Sequence, residues 1–179
     1  MANRMVGVPA PDFKMVVTTG DGKEFKELTL NDYKGKWLVM FFYPRDFTFV
    51  CPTEIKSMDS HYEEFQKLNA DVLAVSTDSE FSHKAWIELA AEKGGIGELK
   101  FPIAADTTHQ VSKDYGIYIE ETGAALRGLF IINPEGVLQY QVVHDLNVGR
   151  SASETLRVLQ GLQAGGLCPA DWNPGEDML

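Results

Sequence analysis

The chain alternates short apolar runs with longer stretches in which apolar positions recur every three or four residues. Phe13 to Thr18 and Glu24 to Thr29, set around Gly20-Asp21-Gly22, predict an N-terminal hairpin. Trp37-Leu38-Val39-Met40-Phe41-Phe42-Tyr43 is unbroken rather than alternating, as in a strand buried on both faces, so it is expected at the centre of a sheet. From Pro52 to Asn69 the residues Ile55, Met58, Tyr62, Phe65 and Leu68 fall at helical spacing and predict one amphipathic helix. Val72 to Ser76 reads as a second buried strand, and Ser79 to Lys93 as a helix stopped by Gly94-Gly95. Phe101 to Ala104 is expected as a short edge strand and Thr108 to Tyr115 as a short helix. Leu129 to Ile132 and Val137 to Val143 form a predicted hairpin turning at Asn133-Pro134-Glu135-Gly136. Ser151 to Gln163 is the last helix, opened by the capping-box pair Ser151 and Glu154 and ended by Gly165-Gly166.

Such alternation predicts an α/β protein with a mixed central sheet flanked by helices. With 179 residues, 44% of them hydrophobic, the chain is long enough for one well-buried domain and too short for two comfortable ones. The periodic part, 1–164, is read as that domain. The remainder, 165–179, is an arm: from Leu167 onward it lacks period, carries Pro169 and Pro174, and reads as a mobile tail.

Charge narrows the partners. A formal charge of −10, from 26 acidic and 16 basic residues, argues against a nucleic-acid face and against a basic membrane patch. Trp37 to Tyr43, the longest apolar run, falls far short of the roughly 18 residues that span a bilayer, so a soluble protein is expected. The start, Met1 to Gly7, lacks the apolar core of a secretory signal, and a cytoplasmic location is the expectation. There are two cysteines, Cys51 and Cys168, too few for the disulfide framework of a small secreted scaffold.

Cys51 is the more telling of the two, because it follows the apolar strand and stands at the predicted start of a helix. Helix N-terminal amides and the positive end of the helix dipole favour a thiolate, Pro52 suits a first helical turn, and Thr48 offers a hydroxyl three residues earlier. By itself this leaves a buried structural thiol as the commoner fate. Thr48 reads equally as a helix cap, Pro44 as a strand terminator, Glu54 as an acid in a first turn, and Arg127 or Arg150 as ordinary ion-pairing residues. His61, His83, His109 and His144 show no metal-ligand spacing and are read as structural. Gly94-Gly95-Ile96-Gly97 lacks the lysine and hydroxyl of a phosphate loop, so nucleotide binding is not expected.

The company that Cys51 keeps carries more. Phe47-Thr48-Phe49-Val50-Cys51-Pro52-Thr53-Glu54, preceded by Pro44, resembles the active-site signature of the typical two-cysteine peroxiredoxins, the group that includes the alkyl hydroperoxide reductase C component. The resemblance continues through Ser76-Thr77-Asp78-Ser79 with His83 to Trp86, Arg127 to Ile132, Val148-Gly149-Arg150-Ser151 and Cys168-Pro169, and so spans nearly the whole chain in order. It implies a thioredoxin-like fold with an N-terminal hairpin extension and a C-terminal arm. It implies Cys51 as the nucleophile that attacks a hydroperoxide, Thr48 as a hydrogen-bonding partner of the peroxide oxygens, and Pro44 as the residue that shapes the pocket. Arg127 would stabilise the thiolate and polarise the peroxide through forked donors, with Glu54 and Arg150 orienting it. Cys168 would be the resolving thiol, reaching Cys51 of the other chain of a homodimer, five of which often close into a ring.

By the same resemblance no metal, haem or flavin cofactor is needed in this chain. Electrons would come from an external dithiol protein, thioredoxin or a flavoprotein disulfide reductase; general disulfide exchange is disfavoured, since no Cys-x-x-Cys is present. A non-enzymatic alternative, an oligomeric chaperone or peroxide sensor relaying oxidation to partner proteins, fits the same group. The chain departs from overoxidation-sensitive members, whose arm is longer and carries a Tyr-Phe pair: only residues 169 to 179 follow Cys168, without such a pair.

Overall fold

In the computed structural model, which describes residues 4–179, the first three residues of the start discussed above lie outside the described part. Nine strands and five helices follow in order: β1 (Lys14–Thr18), β2 (Phe25–Thr29), β3 (Trp37–Phe42), α1 (Val50–Ser60), α2 (Tyr62–Lys67), β4 (Ala70–Ser76), α3 (Glu80–Glu88), β5 (Ile103–Ala105), α4 (Gln110–Asp114), β6 (Tyr118–Ile119), β7 (Ala124–Ala125), β8 (Arg127–Ile132), β9 (Leu138–His144) and α5 (Ala152–Ala164). Seven strands form one mixed sheet in the order β2-β1-β5-β4-β3-β8-β9, and β6 pairs with β7 apart from it. β3 runs parallel to β4 and antiparallel to β8, so the continuous apolar strand lies in the sheet interior.

Why that strand is apolar throughout follows from its two faces. Val39, Phe41 and Tyr43 point into one cluster with Ile55, Phe65, Trp86, Leu156 and Leu159, beneath α1, α2, α3 and α5. Leu38, Met40 and Phe42 point into a second cluster with Val111, Tyr115, Phe130 and Ile132 on the opposite side. A period of two thus puts successive residues into different cores, and both are built of buried apolar side chains.

Four elements differ from the pattern reading. The helix expected over 52–69 is two helices, because His61 breaks it with φ −98° and ψ 3°. The Ser60 hydroxyl and the His61 ring both turn back to the Ser57 carbonyl at 2.8 Å, offering the backbone an alternative to helical bonding. The helix expected to run to Lys93 ends at Glu88, with Ala91–Lys93 forming a separate 3-10 turn. There the chain doubles back under the helix end: Ile96 N–H donates to the Trp86 carbonyl, and a Cβ on Gly95 would stand 1.8 Å from the Leu89 oxygen. The strand expected at an edge, β5, is interior, since the N-terminal hairpin adds β1 along its free side.

The tail is the fourth. Instead of lying free, it folds back onto α5 with the Trp172 ring buried, because an indole gains more from packing than an aperiodic segment loses in freedom. The capping-box pair is half made: Ser151 Oγ accepts from Glu154 N–H at 3.2 Å, while the Glu154 carboxylate turns to Arg157. Among the described residues no helix is long and apolar enough to cross a membrane.

Candidate active site

Tyr43 N–H still bonds to the Val75 carbonyl, extending β3 by one residue before Pro44, which has no N–H to donate, ends the pairing. The chain then turns through Phe47, whose φ of 57° places a bulky residue in the left-handed region. What holds this turn is Asp46. Its buried carboxylate accepts from Tyr43 Oη at 2.7 Å and Ser82 Oγ at 2.7 Å and faces His83 Nδ1 at 2.8 Å, and its own N–H donates to Asp78 Oδ2 at 2.9 Å. Burial and the Asp46 charge push the Tyr43 phenol well above its ordinary 10.0, so it stays a donor. Arg45 adds a further tie, donating to Thr77 Oγ1 at 2.6 Å and the Thr122 carbonyl at 2.8 Å.

From this anchored loop α1 starts at Val50 and places Cys51 in its first turn, 1% exposed. Arg127 enters from the first position of β8, itself 3% exposed. Its Nη1 donates to Cys51 Sγ at 3.4 Å and to Glu54 Oε2 at 2.6 Å, and its Nε donates to the Leu146 carbonyl at 2.8 Å. Arg150 completes the cluster: Nε and Nη2 fork onto Glu54 Oε1 and Oε2 at 2.8 and 3.0 Å, and Nη1 donates to the Gly128 carbonyl at 2.6 Å. The Arg150 backbone N–H reaches Glu54 Oε1 at 2.8 Å, and its guanidinium lies over the Phe41 ring.

One carboxylate therefore stands between two buried guanidinium groups. Burial opposes ionisation of Glu54, but the hydrogen bonds and charge of Arg150, with the charge of Arg127, outweigh it and hold the carboxyl below its ordinary 4.5. Burial also draws Arg150 down while Glu54 holds it up. A positively charged donor is thus fixed beside a cysteine sulfur in a buried site, an arrangement suited to stabilising an anionic sulfur and the oxygen of a small polar substrate.

Of the residues named from sequence, the structure brings together Cys51, Glu54, Arg127 and Arg150. Pro44 and Thr48 sit on the adjoining loop. Thr48 is exposed, its hydroxyl donating to the Arg45 carbonyl at 3.0 Å, and the helix cap is Phe49 rather than Thr48. Cys168 is elsewhere: exposed on the arm, with the sulfur beside Gly161 of α5. Sequence reading missed Asp46, although it lies inside the Pro44 to Glu54 run, and it had no means of finding the Leu146 and Gly128 carbonyls, whose part depends on backbone position alone. Among the described residues no group of three or more His, Cys, Asp or Glu is placed to hold a metal ion.

Known proteins resemble this chain in sequence and in fold. The AhpC/TSA family matches residues 6–141. A peroxiredoxin-named protein of the Clostridium pasteurianum rubredoxin operon is 60% identical, over 98% of this chain and 99% of its own. The Bacillus subtilis protein YkuU, also named as a peroxiredoxin, is 58% identical over the full length of both. The crystal structure of reduced 2-Cys peroxiredoxin from Plasmodium vivax superposes with a TM-score of 0.95 at 36% identity, covering 98% of this chain and 93% of that one. Matched by relatives along its whole length and by a thioredoxin-like structure with the same core, this chain belongs to the AhpC/TSA family of peroxiredoxins, which are peroxidase enzymes.

Proposed function

We propose that this peroxiredoxin reduces hydrogen peroxide and small organic hydroperoxides through Cys51, with Cys168 of a second copy as resolving thiol. The observation that carries the reading is the 3.4 Å contact of Arg127 Nη1 with Cys51 Sγ inside a buried arginine–glutamate cluster. The Cys51 thiolate attacks the terminal peroxide oxygen, an S–O bond forms, the O–O bond breaks, and the departing oxygen takes a proton to leave as water or an alcohol. Arg127 stabilises the anionic sulfur and the leaving oxygen; Thr48 and Pro44 shape the approach. The Cys51 sulfenic acid then condenses with a Cys168 thiol, joining the two sulfurs and expelling water. An external dithiol protein, thioredoxin or a flavoprotein disulfide reductase, returns both thiols by exchange and is itself oxidised.

Within one chain Cys168 packs on α5 rather than at the Cys51 cluster, which favours a partner from another copy. Self-association also fits the exposed aromatics: Phe25 and Phe81 pack edge to face with centroids 5.3 Å apart, and Phe47 is 50% exposed. A homodimer, assembling to a ring of five dimers in the cytoplasm, is the arrangement proposed. Replacing Cys51 by Ser should abolish peroxide consumption, and full activity in that variant refutes the mechanism. Cys168→Ser should block turnover with thioredoxin while leaving one round of peroxide reduction.

A further inference from the structure

A cavity of about 240 Å³ opens where β2, the 3-10 turn Leu30–Tyr33, the start of α2 and the first residues of β4 meet. Leu28, Val72 and Pro102 give it an apolar wall, and its polar side chains are those of Asp32, Tyr33, Tyr62 and Asp71. Three tyrosines are buried among the described residues. Tyr43 Oη donates to Asp46 at 2.7 Å and Tyr115 Oη to the Pro11 carbonyl at 2.8 Å. The third, Tyr33, is 8% exposed, and its hydroxyl has no hydrogen-bond partner among the described residues. Burial, then the Asp71 charge, the Tyr62 phenol and the Asp32 charge push the Tyr33 phenol above its ordinary 10.0, which sets its hydroxyl among the cavity's polar groups. A phenol so buried is ordinarily bonded, so this one calls for a partner from outside the chain. The carboxylates also have capacity to spare. Asp32 Oδ2 accepts from Thr29 N–H at 2.7 Å and Thr29 Oγ1 at 2.8 Å, which leaves Oδ1 without a donor among the described residues. Asp71 Oδ1 accepts from Gln66 Nε2 at 2.6 Å and from Tyr62 Oη at a long 3.3 Å, and Oδ2 accepts from Lys36 Nζ at 3.0 Å.

We propose that this cavity binds a small primary amine in its ammonium form. Two carboxylates face one cation, Lys36, whose side chain is half exposed and stands outside the lining, so the cavity favours a positive guest. What the guest meets are acceptors: the Tyr33 hydroxyl, Asp32 Oδ1 and the Asp71 carboxylate. An ammonium is their complement, carrying three donors and no acceptor, and the phenol rings of Tyr33 and Tyr62 suit a cation beside them. Its alkyl chain lies against Leu28, Val72 and Pro102. The volume is below the roughly 300 Å³ at which pockets for drug-sized ligands begin, which limits the guest to a few heavy atoms. A metal ion is the poorer fit, since no group of three or more His, Cys, Asp or Glu is placed to hold one among the described residues. Lys36 is the internal competitor, because its ammonium already holds Asp71 Oδ2. None of these residues belongs to the Cys51 cluster, so the site stands or falls independently of the peroxidase reading.

Saturation-transfer NMR of n-butylammonium added to the reduced, full-length protein tests this at about 0.15 M salt, where exposed charges more than about 8 Å apart are largely screened. Saturable binding is expected. It should be absent for n-butanol, which lacks the charge, and for tetramethylammonium, which lacks the N–H donors. Tyr33→Phe deletes the hydroxyl alone, and Asp71→Asn removes a charge at constant shape; each should raise the Kd about tenfold. Lys36→Gln removes the competing cation and should lower the Kd about threefold. All three variants should consume peroxide at the parent rate, which checks that they fold. No saturable binding to the parent overturns the site, since solvent then completes the Tyr33 hydroxyl. Equal Kd values for the parent, Tyr33→Phe and Asp71→Asn overturn it too, because the amine is then held by the acidic surface at large. Weaker binding in Lys36→Gln contradicts the placement of the ammonium at Asp71, and tetramethylammonium binding as tightly as n-butylammonium contradicts recognition through N–H donors.

Discussion

Arg127 Nη1 lies 3.4 Å from Cys51 Sγ. The same nitrogen is 2.6 Å from Glu54 Oε2, and the other end of the guanidinium is tied to the Leu146 carbonyl, so the contact with sulfur is set by groups that never touch it. A planar fork with donors on both edges can satisfy all three at once; an ammonium on a flexible stem cannot.

Arg127→Lys should therefore fold but lose peroxide reduction. Removing one preorganised donor from a developing oxyanion typically costs about 10²–10³ in rate, and a loss in kcat/KM of that order is expected here. Stopped-flow measurement of peroxide consumption, with circular dichroism as the folding control, checks it. A variant within a few-fold of the parent would show that positive charge alone, not the fork, serves the sulfur.

Glu54→Gln removes the one negative charge between two buried cations while keeping the side chain's shape. Breaking a buried pair by losing one partner costs about 3–5 kcal/mol, because the remaining charge is left uncompensated. Since the folded carboxyl titrates below its ordinary 4.5, its contribution is present in full above that pH and is lost as pH falls through the lowered value. The stability gap between parent and Glu54→Gln, measured by urea unfolding, should be flat from about pH 7 to 5 and shrink in more acid solution. A gap that widens on acidification contradicts this assignment.

How much of this was readable without coordinates differs by element. β3 was plain, since seven apolar residues in a row suit only a strand facing two cores. Cys51 stood out because strand, proline and helix start meet there, but that placement alone left a buried structural thiol as the commoner reading, and the resemblance of the run around it carried the rest. Glu54, Arg127 and Arg150 are far apart in sequence, and composition treats each as an ordinary surface charge; only resemblance to relatives pointed to them. The helix break at His61 escaped because the apolar stripe keeps its spacing across it while the polar Ser57, Ser60 and His61 decide the backbone. β5 looked like an edge because its neighbour comes from the other end of the chain. The two-residue strands β6 and β7 carry too few residues to show a period. Trp172 escaped because a single anchor in an aperiodic, proline-bearing tail makes no pattern.

Asp46 should prove to be the keystone of the loop before Cys51. The buried Tyr43 hydroxyl and the half-buried Ser82 hydroxyl donate to its carboxylate, and the His83 ring lies against it. Asp46→Ala leaves those groups unsatisfied, at about 1–3 kcal/mol for each donor that water cannot reach. The urea midpoint should fall accordingly, and peroxide consumption with it, since Phe47 and Thr48 lose their support. A midpoint equal to the parent's would mean that water or a neighbouring side chain replaces the carboxylate at no cost.

The last prediction concerns damage to Cys51 itself. At 1% exposure its sulfur cannot meet a thiol from another chain unless the first turn of α1 unwinds. Little opposes that unwinding: Phe49 at the N-cap gives no side-chain hydrogen bond, where a capping side chain would contribute about 1 kcal/mol, and the helix is only 11 residues long. Opening should then be quicker than the arrival of a second peroxide at low dose. Mass spectrometry after graded peroxide should find Cys51 mainly in disulfide with Cys168, and sulfinic acid only at high dose. Predominant sulfinic Cys51 at low dose would sink the idea that this helix start opens easily.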